Sequence, residues 1–422
     1  MLSLATQLVF SMSVADTARV VLAPYVKSDT VSAPRIELPR ITYSGVTGST
    51  TVRTSLPKSN ALLFFYRLGR FIDGFLTKGI DTSYLELNDR AWKLALTNSE
   101  VGIHNTFALT NISELGNVNM KLYSSPSVAL GFEAAYHTIQ FNYSWDVLHR
   151  RTQRLTFNII TRAWSLEYVR YSNTNLQGYI DAVGTEGKVM VKNGDMEAYS
   201  SFLSIYFMFN SDKYSGYNAI RQSFVQKKSA GSFYLQAQYF GSKLTTHSEA
   251  LLANVNSVYS IDVHQAAVSA GYGYNYTPNK GRFLLHVSAA PMLIVFNRAL
   301  VSFRYPVRIN ENETQNIDLT RILKPQNFYV TGTARVALSW NINEWVFLSG
   351  NAQFYNHRLR GEVDENNMKM STWNWNANLS IGVRFGVSRK RISTILEEYD
   401  RAVAPNKKRD VLDWLEGVMN KH

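Results

Sequence analysis

Side chains that could do chemistry are few and scattered in this sequence. Eight histidines occur along the chain, and no two of them stand at the spacing of a metal site. A serine-nucleophile elbow and a phosphate-binding glycine loop are both absent from the sequence. His286 and Ser288 are the best candidates for a base and a nucleophile, because residues two apart in a strand lie on the same face. The sequence therefore predicts no cofactor and no metal.

Charged residues at alternating positions are the next candidates. Their common feature is a place on the polar side of a strand, which would line the interior of a closed sheet: Arg162, Glu167, Arg170, Arg335 and Arg384. Such a mostly cationic interior would favour anions, or it would be filled by side chains and leave no pore. The sequence leaves both alternatives open.

The elements that position these residues follow from composition. The chain has 422 residues with no cysteine, 13% aromatic residues and only 10 prolines, a mixture that favours strands. Without cysteine there is neither a lipidated N-terminal cysteine nor a thiolate zinc site. No run of about 18 apolar residues suggests a spanning helix, but a closed barrel crosses a membrane without one.

A period of two runs from residue 91 to residue 387. In the final strand the apolar positions alternate with polar residues or glycine: Trp375, Ala377, Leu379, Ile381, Val383, Phe385 and Val387. Several such stretches exceed the nine to eleven residues that a tilted membrane strand needs, whereas soluble strands average five or six. We therefore predict an all-β protein, a transmembrane antiparallel β-barrel of about twelve strands in the outer membrane of a Gram-negative bacterium.

Turn lengths predict the orientation of this barrel. The tight turns 277–280 and 341–344 are expected in the periplasm, and the long connections 173–199, 245–261, 298–325 and 359–371 outside the cell. Segment 211–228 falls on the periplasmic side although it is long and polar. It is either a folded-in loop or a further hairpin, which would make fourteen strands.

Residues outside the barrel form four segments. Residues 1–15 resemble a secretory signal, with a buried strand as the alternative, and 16–57 are expected to form an extended periplasmic linker. Residues 58–90 contain an amphipathic helix, predicted over Lys58–Lys78, and 388–422 form a helical tail. The helix is expected to lie on the headgroup surface, plug the barrel, dock a partner or pack against the rim.

Two sets of residues are candidates for interactions. For docking to a partner or a membrane we select aromatic, apolar and basic residues of the helix and the tail: Phe64, Arg67, Leu68, Arg70, Phe71, Phe75, Arg389, Lys390, Arg391 and Trp414. Ser380, Gly382, Phe385 and Val387 match the closing-strand signal by which barrel-assembly machinery recognises its clients. The net charge of +12, without a dense basic arm, favours lipopolysaccharide and phospholipid headgroups over nucleic acid.

Several stretches resemble a known family. They are Phe71–Trp92, Gly131–Asp146, Asn218–Phe233, Gly271–Asn297 and Ser380–Phe385. They are similar to a Bacteroidota outer-membrane barrel family known only as a domain of unknown function, over roughly residues 71–387. The resemblance implies a barrel behind a short periplasmic helix, and it implies no catalytic residues.

Three functions are compatible with this sequence. The periplasmic additions favour a non-enzymatic accessory or scaffold subunit of an outer-membrane machine, such as barrel assembly or nutrient import, with protein partners. A small-solute channel or transporter is the alternative. A lipid-modifying enzyme that uses His286 and Ser288 is the third, and it is disfavoured because both residues are expected to face the lumen.

Overall fold

Eighteen strands and four helices make up the described part of the chain. The computed structural model describes residues 60–110, 118–124, 129–147, 152–174, 176–182, 187–216, 218–254, 258–310, 313–325, 328–363 and 366–403. The signal-like segment 1–15, the linker 16–57, the end of the tail and Trp414 lie outside these residues.

The strands are bounded as follows: β1 Leu85–Leu87, β2 Arg90–Thr110, β3 Val118–Ser124, β4 Ala129–Tyr136, β5 Ile139–Asp146, β6 Thr152–Ile160, β7 Trp164–Asn173, β8 Leu176–Ala182, β9 Val189–Val191, β10 Met196–Met208, β11 Phe224–Gln226, β12 Ala230–Thr246, β13 Val258–Tyr276, β14 Phe283–Asn310, β15 Glu313–Pro325, β16 Tyr329–Asn341, β17 Val346–Val363 and β18 Asn366–Ser388. The helices are α1 Asn60–Thr77, α2 Asn218–Arg221, α3 Glu249–Asn254 and α4 Arg389–Val403. Within the described residues, none of these helices has the length and apolarity to cross a membrane.

Twelve of the strands close into an antiparallel ring. Its order is β2, β4, β5, β6, β7, β10, β12, β13, β14, β16, β17, β18 and back to β2. The closing pair, β18 with β2, runs from Asn367 opposite Thr110 to Phe385 opposite Trp92. The barrel is therefore twelve-stranded, as predicted, and segment 211–228 adds no strand to the wall.

The two faces of the wall follow the predicted alternation. On β18, Leu379 and Ile381 are exposed on the outside, whereas Asn376 and Ser380 are buried inside. Aromatic side chains stand exposed at the end of the barrel that carries the short turns: Trp92, Trp164, Phe209, Phe233, Tyr272, Tyr276, Trp340 and Trp345. An apolar exterior that ends in such a girdle is the surface of an outer-membrane barrel, and short turns mark its periplasmic end.

Two of the predicted extracellular loops are largely strand. Residues 298–325 form most of a hairpin in which β15 pairs with the end of β14, and residues 359–371 continue the pairing of β17 with β18. Neither was expected, because polar and charged residues interrupt the apolar alternation once a hairpin leaves the membrane. Strands β3, β8 and β9 form a branch that begins on the outer half of β2, next to its pairing with β4.

Gly382 allows the closing strand to pack against its neighbours. A Cβ atom at this position would lie 2.5 Å from Cζ of Phe347 and 2.6 Å from the Leu94 carbonyl oxygen. Phe347 is fully buried in the lumen and has the Arg384 guanidinium 4.7 Å from its ring centroid. The glycine of the closing-strand motif therefore has a packing role in addition to any role in recognition.

We predict that Gly382→Ala lowers the yield of folded barrel, because the added methyl group must displace the Phe347 ring or the β2 backbone, at a cost of about 1–3 kcal/mol. The measurement is the heat-modifiable gel shift after refolding in detergent, where no assembly machinery is present. Gly350→Ala is the control, since its nearest contact would be an ordinary 3.6 Å from the Leu379 side chain. Equal yields for the two variants would contradict the packing role.

Candidate functional site

The extracellular half of the lumen is filled by apolar side chains. Residues from the wall and from the β3–β8–β9 branch share one buried cluster, which includes Phe107, Leu122, Ile180, Phe202 and Phe240. Leu122 and Ile180 have no solvent exposure. In a barrel of this size, inward side chains are sufficient to fill the interior, and here they do so with apolar rather than polar groups.

The periplasmic half is filled by the chain between β10 and β12. We call residues 210–228 the luminal segment; it includes α2 and β11. Tyr214, Ala219 and Ile220 are buried in a cluster with inward residues of the wall such as Leu284 and Ala337. Segment 211–228 is therefore the folded-in loop, one of the two alternatives left open by the sequence.

Polar contacts fix the luminal segment to the wall. The Arg384 guanidinium donates to Gln222 Oε1 at 2.5 Å and to Asn341 Oδ1 at 2.6 Å. On β13, four strands away from β18 in the ring, Asn275 Nδ2 donates to the Ser215 carbonyl oxygen at 2.8 Å. Since these groups are buried, loss of either anchor would leave polar atoms without partners.

Two buried ion pairs lie in the interior, one across the lumen and one between the adjacent strands β2 and β4. Arg335 on β16 contacts Glu167 on β7 at 2.6 Å, and both side chains are under 10% exposed. Lys93 on β2 contacts Glu133 on β4 at 2.7 Å in a similarly buried position. The predicted lumen residues Glu167, Arg335 and Arg384 thus lie inside, but their charges are balanced or bonded within the protein. They do not form a free cationic surface.

Two predicted lumen residues lie elsewhere. Arg170 is exposed on the outside, where its guanidinium lies 4.9 Å from the Tyr199 ring centroid. Arg170 lies three residues after the inward Glu167. In a strand, residues an odd number apart point to opposite faces. Arg162 belongs to the turn between β6 and β7 and donates to the Lys78 carbonyl oxygen at 2.7 Å. Both lumen predictions are wrong.

His286, Ser288 and Asn275 form a hydrogen-bonded array inside the barrel. His286 Nε2 lies 3.0 Å from Ser288 Oγ, and His286 Nδ1 lies 2.9 Å from Asn275 Oδ1. These are the distances of a nucleophile, a base and an orienting group. The adjoining cavity has a volume of about 20 Å³, enough for about one water molecule. The array therefore has the geometry of a relay, and no space beside it for an ester or an amide.

Residues selected for docking divide into buried and exposed groups. Arg389 contacts Asp73 at 2.8 Å, Arg70 contacts Asp400 at 2.8 Å, and Arg67 is 5% exposed. Burial lowers the pKa of the Arg389 guanidinium, and the neighbouring Asp73 carboxylate raises it in opposition. Arg70 and Arg389 therefore join α1 to α4, and docking by Arg67, Arg70 and Arg389 stays a prediction.

Exposed docking candidates are apolar residues of α1 and basic residues of α4. Phe64 and Phe75 are about half exposed, Leu68 and Phe71 are intermediate, and Lys390 and Arg391 are exposed. The helical period of the sequence indicated an amphipathic helix, and α1 is one. The period could not show that Arg67 and Leu76 face the protein while the aromatic residues face outward.

A cleft opens at the periplasmic mouth beside these helices. Its volume is about 740 Å³, and it lies between the two-stranded ribbon β1–β11 and the turns that follow β13 and β16. The residues that line it include the charged side chains Glu86, Asp89, Arg90, Lys280, Arg282, Glu344 and Lys390. Sequence reasoning missed this ribbon, because three-residue strands leave no periodicity to detect.

Residues 79–385 match the family model described as "Domain of unknown function (DUF4421)". The chain belongs to this family. A match to a domain of unknown function was predicted from the five stretches listed above, and it is confirmed. A comparison of the DUF4421 chain with curated proteins found no match.

Solved structures similar to this DUF4421 protein are outer-membrane proteins. The protease OmpT from Escherichia coli is 8% identical, with 71% of this chain and 98% of that chain covered and a TM-score of 0.34. OprG from Pseudomonas aeruginosa is 8% identical over 71% and 99%, with a TM-score of 0.27. The toluene transporter TodX from Pseudomonas putida is 10% identical over 78% and 95%, with a TM-score of 0.24. Similarity at this level carries no argument about activity.

We predict that Arg335→Leu destabilises the barrel by about 3–5 kcal/mol, because it leaves the Glu167 carboxylate buried beside an apolar side chain. Urea unfolding in detergent micelles, followed by tryptophan fluorescence, measures the loss. The double variant Glu167→Leu, Arg335→Leu is the matched control and is expected to recover most of the stability. A double variant as unstable as the single one would show that the charge left behind is not the cause.

Proposed function

We propose that this outer-membrane barrel is a non-enzymatic accessory or scaffold subunit that presents a periplasmic docking surface to a protein partner. The observation that carries the proposal is the filled lumen beside an open periplasmic cleft. The apolar cluster occupies one half of the interior and the luminal segment occupies the other. What the barrel can offer to another molecule therefore lies on its surface.

Transport through a permanently open pore is disfavoured by the same filling. The luminal segment is fixed to the wall through Arg384 and Asn275, which stand on β18 and β13. A passive solute would have to displace both the segment and the apolar cluster beyond it. The proposal therefore treats the barrel as an anchor.

Catalysis at Ser288 is disfavoured because a substrate could not reach the hydroxyl group, although the side chains are aligned. Ser288, His286 and Asn275 are aligned, but the luminal segment lies against them: Tyr214 Oη is 3.5 Å from His286 Nδ1, and Gln226 Oε1 accepts from Asn275 Nδ2 at 3.1 Å. In the proposal these residues serve as a hydrogen-bonded seat for the segment. Hydrogen bonds of this kind stabilise a buried loop, because each buried polar atom finds a partner.

The cleft is suited to a segment of a periplasmic protein. Its volume is about 740 Å³, and the ribbon strand β1 forms part of its wall. Lys280, Arg282 and Lys390 supply positive charge at its rim, and Glu86 and Glu344 supply negative charge. Mixed charge at the rim of a partly apolar cleft is typical of a protein interface rather than of a pore entrance.

Site-specific photo-crosslinking in native membranes tests the docking surface. A photoreactive residue at Thr82 or Glu344 in the cleft is expected to yield a discrete crosslinked protein. Thr320 on the extracellular hairpin is the control, since it is exposed at the other end of the barrel. Crosslinks at Thr320 alone, or a monomer without partners after mild-detergent purification, would refute the scaffold role.

We predict that the purified wild-type barrel gives no steady conductance in a planar bilayer. Arg384→Ala removes one anchor of the luminal segment and is expected to stay silent as well, because the apolar cluster still fills the extracellular half of the lumen. The heat-modifiable gel shift of protein recovered from the bilayer shows that folded barrels were inserted. Steady conductance from the wild type would favour the channel alternative instead.

We predict that a fluorophosphonate probe does not label Ser288 in the folded barrel and that Ser288→Ala leaves phospholipid turnover unchanged. The reason is the one-water cavity beside the hydroxyl group. Mass spectrometry of the probe adduct in detergent and in lipid makes the measurement. An adduct on Ser288 that disappears in His286→Ala would establish the enzyme alternative.

A further inference from the structure

Helix α1 turns its aromatic side outward, whereas the side that faces the protein carries charged residues together with the buried Leu63 and Leu76. Asp73 contacts both Arg389 and His137, at 2.8 and 2.7 Å, and Arg67 is buried. Phe64 is 50% exposed and Phe75 is 55% exposed. A helix on the surface of a water-soluble protein buries its large apolar side chains, whereas these aromatic residues stay exposed. The aromatic side of α1 would therefore be more stable in an apolar medium than in water.

The same helix follows the periplasmic rim of the barrel. Near its middle, a Cβ atom added to Gly69 would lie 3.3 Å from Nε2 of His137, in the turn between β4 and β5. Just after its end, the Lys78 carbonyl oxygen accepts a hydrogen bond from Arg162, in the turn between β6 and β7. Residues 69 to 78 span about 14 Å along a helix. The β4–β5 and β6–β7 turns are two strands apart, which is about 10 Å along the rim before strand tilt lengthens the distance. Because the two lengths are similar, α1 runs along the rim, roughly perpendicular to the barrel axis.

This position is continuous with the lipid-facing surface. The Cβ added to Gly69 would also lie 3.5 Å from the Tyr136 hydroxyl oxygen. The Tyr136 ring lies 4.4 Å from that of Trp92, and Trp92 stacks on Phe385 at 6.2 Å, all three on the outside of the wall. Aromatic rings at such a position mark the headgroup level of the membrane. Helix α1 therefore begins where the lipid-facing wall ends.

Positive charge lies on the helix that packs against α1. Arg391 is exposed near the start of α4, directly after the closing strand β18, and α4 packs against α1. An apolar helix face flanked by basic residues is the pattern by which helices bind a bilayer that contains anionic headgroups.

We infer that α1 is an interfacial helix whose Phe64, Leu68, Phe71 and Phe75 stripe inserts into the phospholipid of the periplasmic leaflet. The charged side of the helix fastens it to the rim through Asp73, and the basic start of α4 contacts the headgroups. This inference goes beyond the scaffold proposal, because it assigns the stripe to lipid and leaves the cleft for a protein.

The absence of cysteine from the chain makes a clean test possible. Single-cysteine variants Phe64→Cys and Phe75→Cys are labelled with an environment-sensitive fluorophore in nanodiscs of phosphatidylethanolamine and phosphatidylglycerol. Thr77→Cys is the matched control, because Thr77 is exposed on the same helix but lies away from the stripe. Each label is then exposed to aqueous iodide and to phospholipids that carry a spin label on the acyl chain near the headgroup.

At positions 64 and 75 the labels are expected to emit at shorter wavelength, to be quenched by the spin-labelled lipid and to be several-fold less sensitive to iodide than the label at 77. Iodide quenching as strong as at 77 would place the stripe in water and overturn the inference. Protection from both quenchers would place the stripe against protein and overturn it as well. Neither failure affects the scaffold proposal, which is tested by crosslinks in the cleft.

Discussion

Every backbone N–H and C=O group within a bilayer must find its partner inside the protein, and the structure depends on that constraint. The constraint is met where the last strand of the ring, β18, returns to β2 and pairs with it over most of its length. Gly382 lies within that pair, and the space that its missing side chain leaves is taken by Phe347. Closure of the backbone and packing of the lumen thus meet at one residue of the assembly motif.

Closure of the ring leaves an interior that side chains or a loop must fill. Here the wall contributes balanced ion pairs in the middle, an apolar cluster on the extracellular side and a seat for the luminal segment on the periplasmic side. Ser288, His286 and Asn275 have a geometry that is compatible with either catalysis or structural support. A hydroxyl group, an imidazole and an amide in sequence are a catalytic relay when a substrate can reach them, and a hydrogen-bonded support when a loop covers them.

The periplasmic face divides into two surfaces of different chemistry. The aromatic stripe of α1 continues the lipid-facing girdle, whereas the cleft between the β1–β11 ribbon and the turns after β13 and β16 has mixed charge. An anchor that rests in lipid on one side and presents a cleft on the other is fixed in height and in rotation relative to the membrane. Such a fixed orientation would favour the docking of a periplasmic partner in one defined pose.

The sequence by itself determined the wall. A period of two over long stretches, such as the alternation that ends at Val387, fixes which residues meet lipid, because adjacent side chains of a strand must point to opposite faces. It also predicted the amphipathic nature of α1 and about twelve strands, with fourteen as an alternative that the structure excludes. Only the tertiary structure decided what fills the lumen and which side of α1 faces outward, since Tyr214, Gln222 and Asp73 acquire their roles from partners distant in the chain. Periodicity describes a strand or a helix alone; contacts between elements depend on how the ring closes and on what space it leaves.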